Sequence, residues 1–589
     1  MKLVVTHYLR SLRERDELDA ILPDLLSETG FEVLTRPQRG TRQAGVDVAA
    51  VGPDTDRDGR RTLFLFTVKS GDLTRAHWDG AQQAVRPSVN EILDDYIPNR
   101  IPPQYADLPI AICVCMGGEM REDIRAQWSG FCKTVEKPNL RLCEWNGERL
   151  ADLILSGMLR AELVDGEHRG LFQKALAMLD QPDVAYRHFS HLLEKLFTAT
   201  SDERIRTRQL RQAYLCLWIL FVWARDGDNL DSAYRGAELL LLRSWPHCDR
   251  TRVESEALKR ERMTHFEQVL KLYLIVAHML LVEKIGPFAN RRFALSMSVG
   301  SRNSKDVNLA LFETLGRFAL YGIWLHQLST MNGGSFAEAT DREANRVFDL
   351  AIETVNANPT LIVPVCDEFA IEITLFVYLA HLRGRLRDVS GYLSAMAEHL
   401  WLALMMRDGY PTPSTDYRVI LEHPRNRTDE YFEEHTRASI LYPVLLTWLT
   451  LLGDHDRRDR LVAALRERAP HMTNQAWVPD SLTDEVLWHG NRNHGLAVPG
   501  LPIEYSMGKV FEVFNEVTNK HPIAEHISAV RIGLTPLMFT ACRHFRMPVP
   551  LHLWHAGFDK PSDSENNSKI DGSRREEHPT GLHEGSVEK

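Results

Sequence analysis

The sequence predicts an α/β domain with a mixed sheet over residues 1–158, a large all-α domain over 159–558 and a disordered tail over 559–589. Three observations carry this. Helical and strand patterns alternate in the first part, as in layered α/β units. After it the strand signals nearly vanish, and helical periodicity continues between loops such as residues 225–229 (RDGDN) and 331–334 (MNGG). The last stretch is Ser, Glu, Asn and Gly with hardly any large apolar side chain, too little burial to offset its ordering entropy.

The elements of the first part follow in order. Residues 9–29 place Leu12, Leu18, Ile21, Leu22, Leu25 and Leu26 at helical spacing, and Gly30 is suited to a left-handed cap. Residues 31–34 read as a first strand, and 36–42 (RPQRGTR) as a basic loop. A second strand spans 45–51, a charged turn 53–61, and an apolar third strand 62–69 (TLFLFTVK). A helix over about 75–96, a buried strand at 109–116 and a helix over about 119–135 come next. A short strand at 140–145 and a helix at 148–155 close the domain. Over 159–558 no fixed repeat period emerges, so the arrangement of helices there stays open.

Whole-chain properties bound the function. At 589 residues the chain exceeds one core and calls for two or three domains. Its 44% hydrophobic and 25% charged content is that of an ordinary globular protein. A net charge of -10 weighs mildly against a nucleic-acid partner, yet phosphate contacts need only a local basic patch. The cysteines form no CxxC pair, and Cys113 and Cys115, two apart, read as small core residues on one strand face. The longest apolar runs, 213–224, 272–282 and 440–452, fall short of the ~20 residues that cross a bilayer, and Pro443 interrupts the last. No secretory leader is evident, so a cytoplasmic protein without membrane contact is expected. There is no GxxxxGK or GxGxxG motif, so any nucleotide-driven step falls to a partner.

One constellation carries chemistry. Phosphodiester hydrolysis needs carboxylates to hold a divalent cation and a lysine to position or activate water. Asp47 stands in Gly45-Val46-Asp47-Val48, between apolar neighbours. Thr67 and Lys69 are two apart, hence on one face of the third strand, and Lys69 interrupts a run of Leu, Phe and Val. A lysine there needs a carboxylate partner or a function. A buried Asp47–Lys69 ion pair without catalysis is the plain alternative.

The order of Glu17 on a helix, Gly30-Phe31-Glu32-Val33, Gly45-Val46-Asp47-Val48 and Phe66-Thr67-Val68-Lys69-Ser70-Gly71-Asp72 resembles the Mrr-like branch of the PD-(D/E)xK restriction-endonuclease superfamily. Residues 142–150 (LCEWNGERL) resemble the strand, turn and helix that close that domain. The resemblance covers roughly residues 1–158. It implies a restriction-endonuclease-like fold and a Mg²⁺- or Mn²⁺-dependent DNA endonuclease, with Asp47 as central metal ligand, Lys69 as catalytic lysine and Glu17 assisting the metal. The family places Glu, Asp or Gln two residues before the lysine, where this chain has Thr67. Gln82, Gln83 and Glu91 are the candidates for a relocated ligand; failing these, the fold serves binding alone.

Several residues keep two readings. Glu17 sits among Glu14, Arg15, Asp16 and Asp19, which also suits a solvated helix face. Arg36, Arg39 and Arg42, with Arg60 and Arg61 beyond them, suit DNA phosphates or a plain charged loop. Trp78 stacks on a base or packs. His489 and His494 lack a third ligand and Asp454-His455-Asp456 is a polar turn, so neither is expected to hold a metal. Two function classes follow. One is a nuclease restrained by a helical sensor or oligomerisation domain, as in bacterial restriction or anti-phage defence, with DNA, a separate ATPase or sensor and further copies of the chain as partners. The other is a catalytically weak or inactive nucleic-acid-binding scaffold in a multi-protein complex.

Overall fold

A computed structural model describes residues 2–12, 14–37, 43–80, 84–155, 166–198, 202–248, 255–490, 495–501 and 507–554. The expected 158/159 boundary and the tail lie outside these residues, as do Gln82, Gln83, Arg39, Arg42 and His494. The chain divides into two compact units. The first holds Met1–Ala289, Asp484–Asn493 and Ser528–Phe545; the second holds the rest.

The first unit contains a five-stranded mixed sheet in the order β1 (Glu32–Thr35), β2 (Val48–Asp54), β3 (Arg60–Lys69), β4 (Ile110–Met116), β5 (Leu140–Trp145). β1 to β3 are antiparallel neighbours; β3, β4 and β5 run parallel. Alternation divides β3 between two layers. Leu63 and Leu65 join Ile112, Val114, Trp78, Val85, Val89 and Ile92 in one core. Phe64 and Phe66 face the other way, where Phe31 and Trp145 meet them edge-on. Burying both faces explains why residues 62–68 carry no polar side chain except Thr.

Before the sheet run α1 (Lys2–Ser11), a π-helical turn at Glu14–Leu18 and α2 (Asp19–Glu28). The single helix expected over 9–29 is therefore two, with a widened turn between them. Pro23 lies inside α2 and offers no amide to the carbonyl one turn back. Gly30, at φ +89°, leaves the helix in the left-handed region as expected. The helix expected over 75–96 is also divided, into α3 (Arg75–Asp79) and α4 (Val85–Glu91), the latter continued by a π turn at Ile92–Tyr96. Trp78 is packed, 5.8 Å from the Trp128 ring and 5.5 Å from Phe131, which settles its two readings. The remaining helices of this unit include Glu203–Asp226 and Asp231–Cys248, with α1 packed on the former.

The second unit is mostly helical, built on the hairpin of Ser304–Met331 with Gly334–Ala357. It is not all-α. A three-stranded sheet joins β6 (Ala438–Ser439), β7 (Thr473–Val478) and β8 (Leu496–Pro499). Two strands are too short for a two-residue period to register, and β7 opens on polar Thr-Asn-Gln. No helix among the described residues is long and apolar enough to cross a membrane.

Candidate active site

Asp47 lies one residue before β2, at the point where β2 and β3 stop pairing. Gly45 creates the turn that puts it there. Its φ is +79°, and a Cβ at that position would fall 2.2 Å from the Ser88 carbonyl oxygen of α4, so no other residue fits without displacing backbone. The Asp47 amide donates to the Phe66 carbonyl at 2.8 Å. The Val68 amide donates in return to Asp47 Oδ2 at 2.7 Å, so the carboxylate continues the ladder where a backbone carbonyl would otherwise stand. Its charge is felt at β4: burial, then Asp47, raises the Cys115 thiol well above its usual range.

Lys69 ends β3 with its side chain 7% exposed, and its amine donates to Glu14 Oε1 at 3.0 Å. Thr67, two residues earlier on the same face, is buried. Val68 thus ties Asp47 to the strand position next to Lys69, while the π turn delivers Glu14 to the lysine. Glu17 goes elsewhere. It is buried, and Arg225 of the helix Glu203–Asp226 approaches its Oε1 at 3.6 Å. In this structure the acidic partner of Lys69 is Glu14, which the sequence left on a solvated face. A regular helix puts residues 14 and 17 on neighbouring positions, and the widened turn changes which of them faces the sheet.

The other candidates are dispersed. Glu91 is half-buried on α4, whose Ser88, with Ile92 of the π turn after it, abuts Gly45. Arg36 donates to Asp24 at 3.0 Å, and Asp24 also accepts from Gln268 at 3.1 Å. Arg61 donates to Glu32 at 3.1 Å, and Arg60 is exposed at the start of β3. Among the described residues, Arg36 follows Thr35, which pairs with Ala49 near the start of β2, while Arg60 and Arg61 pair with its far end at Asp54 and Pro53, so these three do not form one patch. His489 is bonded to Arg243. Asp454 caps the helix His455–Arg468, its side chain accepting from Arg457 N and from Ser394 at 2.5 Å, a structural role for that turn.

Two carboxylates that the sequence did not single out hold the rest of the domain. Asp72, just beyond β3, accepts from Arg10 at 2.7 Å and from the Glu119 amide at 3.1 Å, and Arg121 lies at 3.4 Å. Burial opposes its charge, but these donors and cations hold the carboxyl below its ordinary range. At the far end of β2, buried Asp54 is gripped by Arg141 through Nε at 3.1 Å and Nη2 at 2.6 Å. No sequence signal marks a pair 87 residues apart.

As donors, the Asp47 and Glu14 carboxylates and the Thr67 hydroxyl are hard oxygens, the type that Mg²⁺ and Mn²⁺ take. Among the described residues no three His, Cys, Asp or Glu side chains are grouped so as to hold a metal ion. Mg²⁺ usually takes one or two protein carboxylates and completes its shell with water and phosphate oxygens, so Asp47 and Glu14 would be the residues to hold such an ion here. Searches against protein-family models, curated proteins and solved structures give no match for this chain.

Proposed function

We propose that the N-terminal α/β region is a metal-dependent DNA endonuclease of the PD-(D/E)xK type, acting in the cytoplasm under the control of the helical remainder. The observation that carries this reading is the junction of β2 and β3. There an aspartate at the entrance to one strand is hydrogen-bonded to the amide preceding a buried lysine at the end of the next. The strand order, an antiparallel triplet continued by two parallel strands, supports the same family.

In this reading Asp47 and Glu14 would hold the cation, with Glu14 taking the place expected of Glu17 and Thr67 leaving the usual third carboxylate unfilled. The cation, when bound, lowers the pKa of the attacking water and offsets charge on the phosphate. Lys69 has three N–H donors, one of them on Glu14, so its amine can hold Glu14 and still orient a phosphate oxygen or the water. Water oxygen bonds to phosphorus and gives up a proton to solvent, the bond from phosphorus to the leaving deoxyribose oxygen breaks, and that oxygen takes up a proton from solvent. The Val68 amide keeps Asp47 oriented throughout. A nuclease of this kind needs restraint, and the helical part is large enough to supply it, as in restriction or anti-phage systems.

The second reading, a nucleic-acid-binding scaffold, is favoured by the Lys69–Glu14 ion pair itself, which satisfies the lysine without substrate. Plasmid incubated with the full chain and Mg²⁺ or Mn²⁺, beside Asp47→Ala and Lys69→Ala, separates them. Nicking or linearisation lost in both variants, with DNA binding retained, supports the enzyme. Binding without cutting in either metal supports the scaffold.

A further inference from the structure

The second unit contains a pocket of ≈ 210 Å³ that plays no part in the site above. That volume suits a molecule of amino-acid size and is below the ~300–1,000 Å³ of sites for larger ligands. The pocket lies where two helices begin, Ala370–Leu382 and Leu441–Leu451, beside β6 and β7.

Its ionic lining is Asp367, Glu368 and Arg546. Arg546 is already matched: Nε donates to Glu368 Oε2 at 3.2 Å, and Nη1 donates to Glu372, which is fully buried. Asp367 is buried too. It accepts from the Ser439 hydroxyl and from the Ile440 amide at 2.9 Å, and so caps the second helix. Asp367, Glu368 and Glu372 against one guanidinium leave two negative charges in excess. The two helix N-termini return about +0.5 each, and burial pushes the Asp367 carboxyl up from its ordinary range, so at most about one negative charge is uncompensated. The Gln475 side chain, also in the lining, makes no hydrogen bond among the described residues, so its amide oxygen is available to a donor. Apart from Ser439, whose hydroxyl is spent on Asp367, the rest of the wall is apolar, chiefly from Ile371, Ile440, Pro413 and Pro548.

We propose that this pocket binds a small organic cation, an amine or guanidine carried on a short apolar chain. Its N–H donors meet Glu368, Asp367 and Gln475, and its chain lies on Ile371, Ile440 and the two prolines. A small anion is disfavoured, because the guanidinium is already matched by two carboxylates and Asp367 faces the same space. The inference stands independently of the nuclease reading.

Calorimetric titration of the full chain with agmatine, n-butylamine and butyrate tests it. Saturable binding of both cations is expected, none of butyrate, and about ten- to hundred-fold weaker cation binding in Glu368→Gln, the range for a lost hydrogen bond to a charged group. Ala438→Leu, which narrows the pocket without removing a charge, should also abolish binding, and it serves in place of Glu368→Gln if that variant does not fold. Absence of saturable binding by either cation, equal binding of butyrate, or cation binding unaffected by Ala438→Leu overturns the proposal.

Discussion

At the scale of single residues, the reading turns on what each charged side chain touches. Glu14 holds Lys69 and Asp47 holds the Val68 amide. If both carboxylates serve the cation, Glu14→Gln should lower metal-dependent cutting about 10–100-fold, the usual effect of disturbing a metal's ligand set, while Glu17→Gln should leave it within a few-fold. Rates measured at saturating Mn²⁺ decide between them. Asp72 makes a different prediction. Its carboxyl is held below its usual value, so its stabilising contribution is present above the unfolded pKa of about 3.9 and is lost as pH falls through the lower folded value. The melting temperature of Asp72→Asn should therefore lie below that of the wild type at pH 7, and the gap should close as pH falls through the lowered folded value. A gap independent of pH would show that the ionised form is not what stabilises. Residue chemistry was partly legible in the sequence. A lysine ending an apolar strand signals a partner or a function, and Lys69 was found that way; Glu14 was not, because the turn that presents it departs from helical spacing.

At the scale of elements, the site depends on turns more than on the strands themselves. Residues 62–69 and 140–145 announce strands through unbroken apolar runs or alternation, and β3 and β5 follow them to within two residues. The divided first helix and β6 to β8 were illegible for physical reasons: a π turn has no sequence period of its own, and strands of two to four residues carry too few side chains to alternate. Two glycines separate conformational freedom from close approach. Gly30, at φ +89°, has no atom within 4 Å of an added Cβ, whereas Gly45, at φ +79°, would place one 2.2 Å from Ser88 oxygen. Gly30→Ala should cost only the left-handed penalty, about 1–2 kcal/mol. Gly45→Ala adds a backbone clash and should cost clearly more, with loss of activity as the Asp47 turn moves. Urea unfolding of both variants, followed by tryptophan fluorescence, compares them directly; equal losses would mean that α4 yields easily.

At the scale of the molecule, what the sequence concealed was return. Residues far along the chain, Ser528–Phe545, belong to the first unit, and nothing in their local pattern says so. The contact that holds them is chemical. Glu238, fully buried, accepts from Arg543 and from His544 Nδ1 at 3.0 Å, and His544 Nε2 bonds to Tyr186 at 2.8 Å. Burial opposes the Glu238 charge, yet the Arg543 cation and these donors hold its carboxyl at about 2. Removing it leaves a buried cation without its partner, a loss on the order of 3–5 kcal/mol. Glu238→Ala should accordingly expose 528–545 to hydrogen exchange and proteolysis, while amides of β3 and β4 keep their protection. Uniform deprotection of the whole unit would instead mean that it unfolds as one. The proposed restraint of the sheet can be tested with variants at Arg225 and Gln268, whose contacts with Glu17 and Asp24 join the helices of this unit to α2 and the π turn before it.

The most direct test is to locate the cation. Crystals of the full chain grown with Mn²⁺ and a short DNA duplex should give an anomalous scattering peak within about 2.5 Å of an Asp47 oxygen, near the ~2.1 Å of a hard-cation contact. The Glu14 carboxylate should be its neighbour and the Lys69 amine should turn toward a phosphate. A saturated crystal with no peak at Asp47, and with Lys69 still closed on Glu14, would contradict the account.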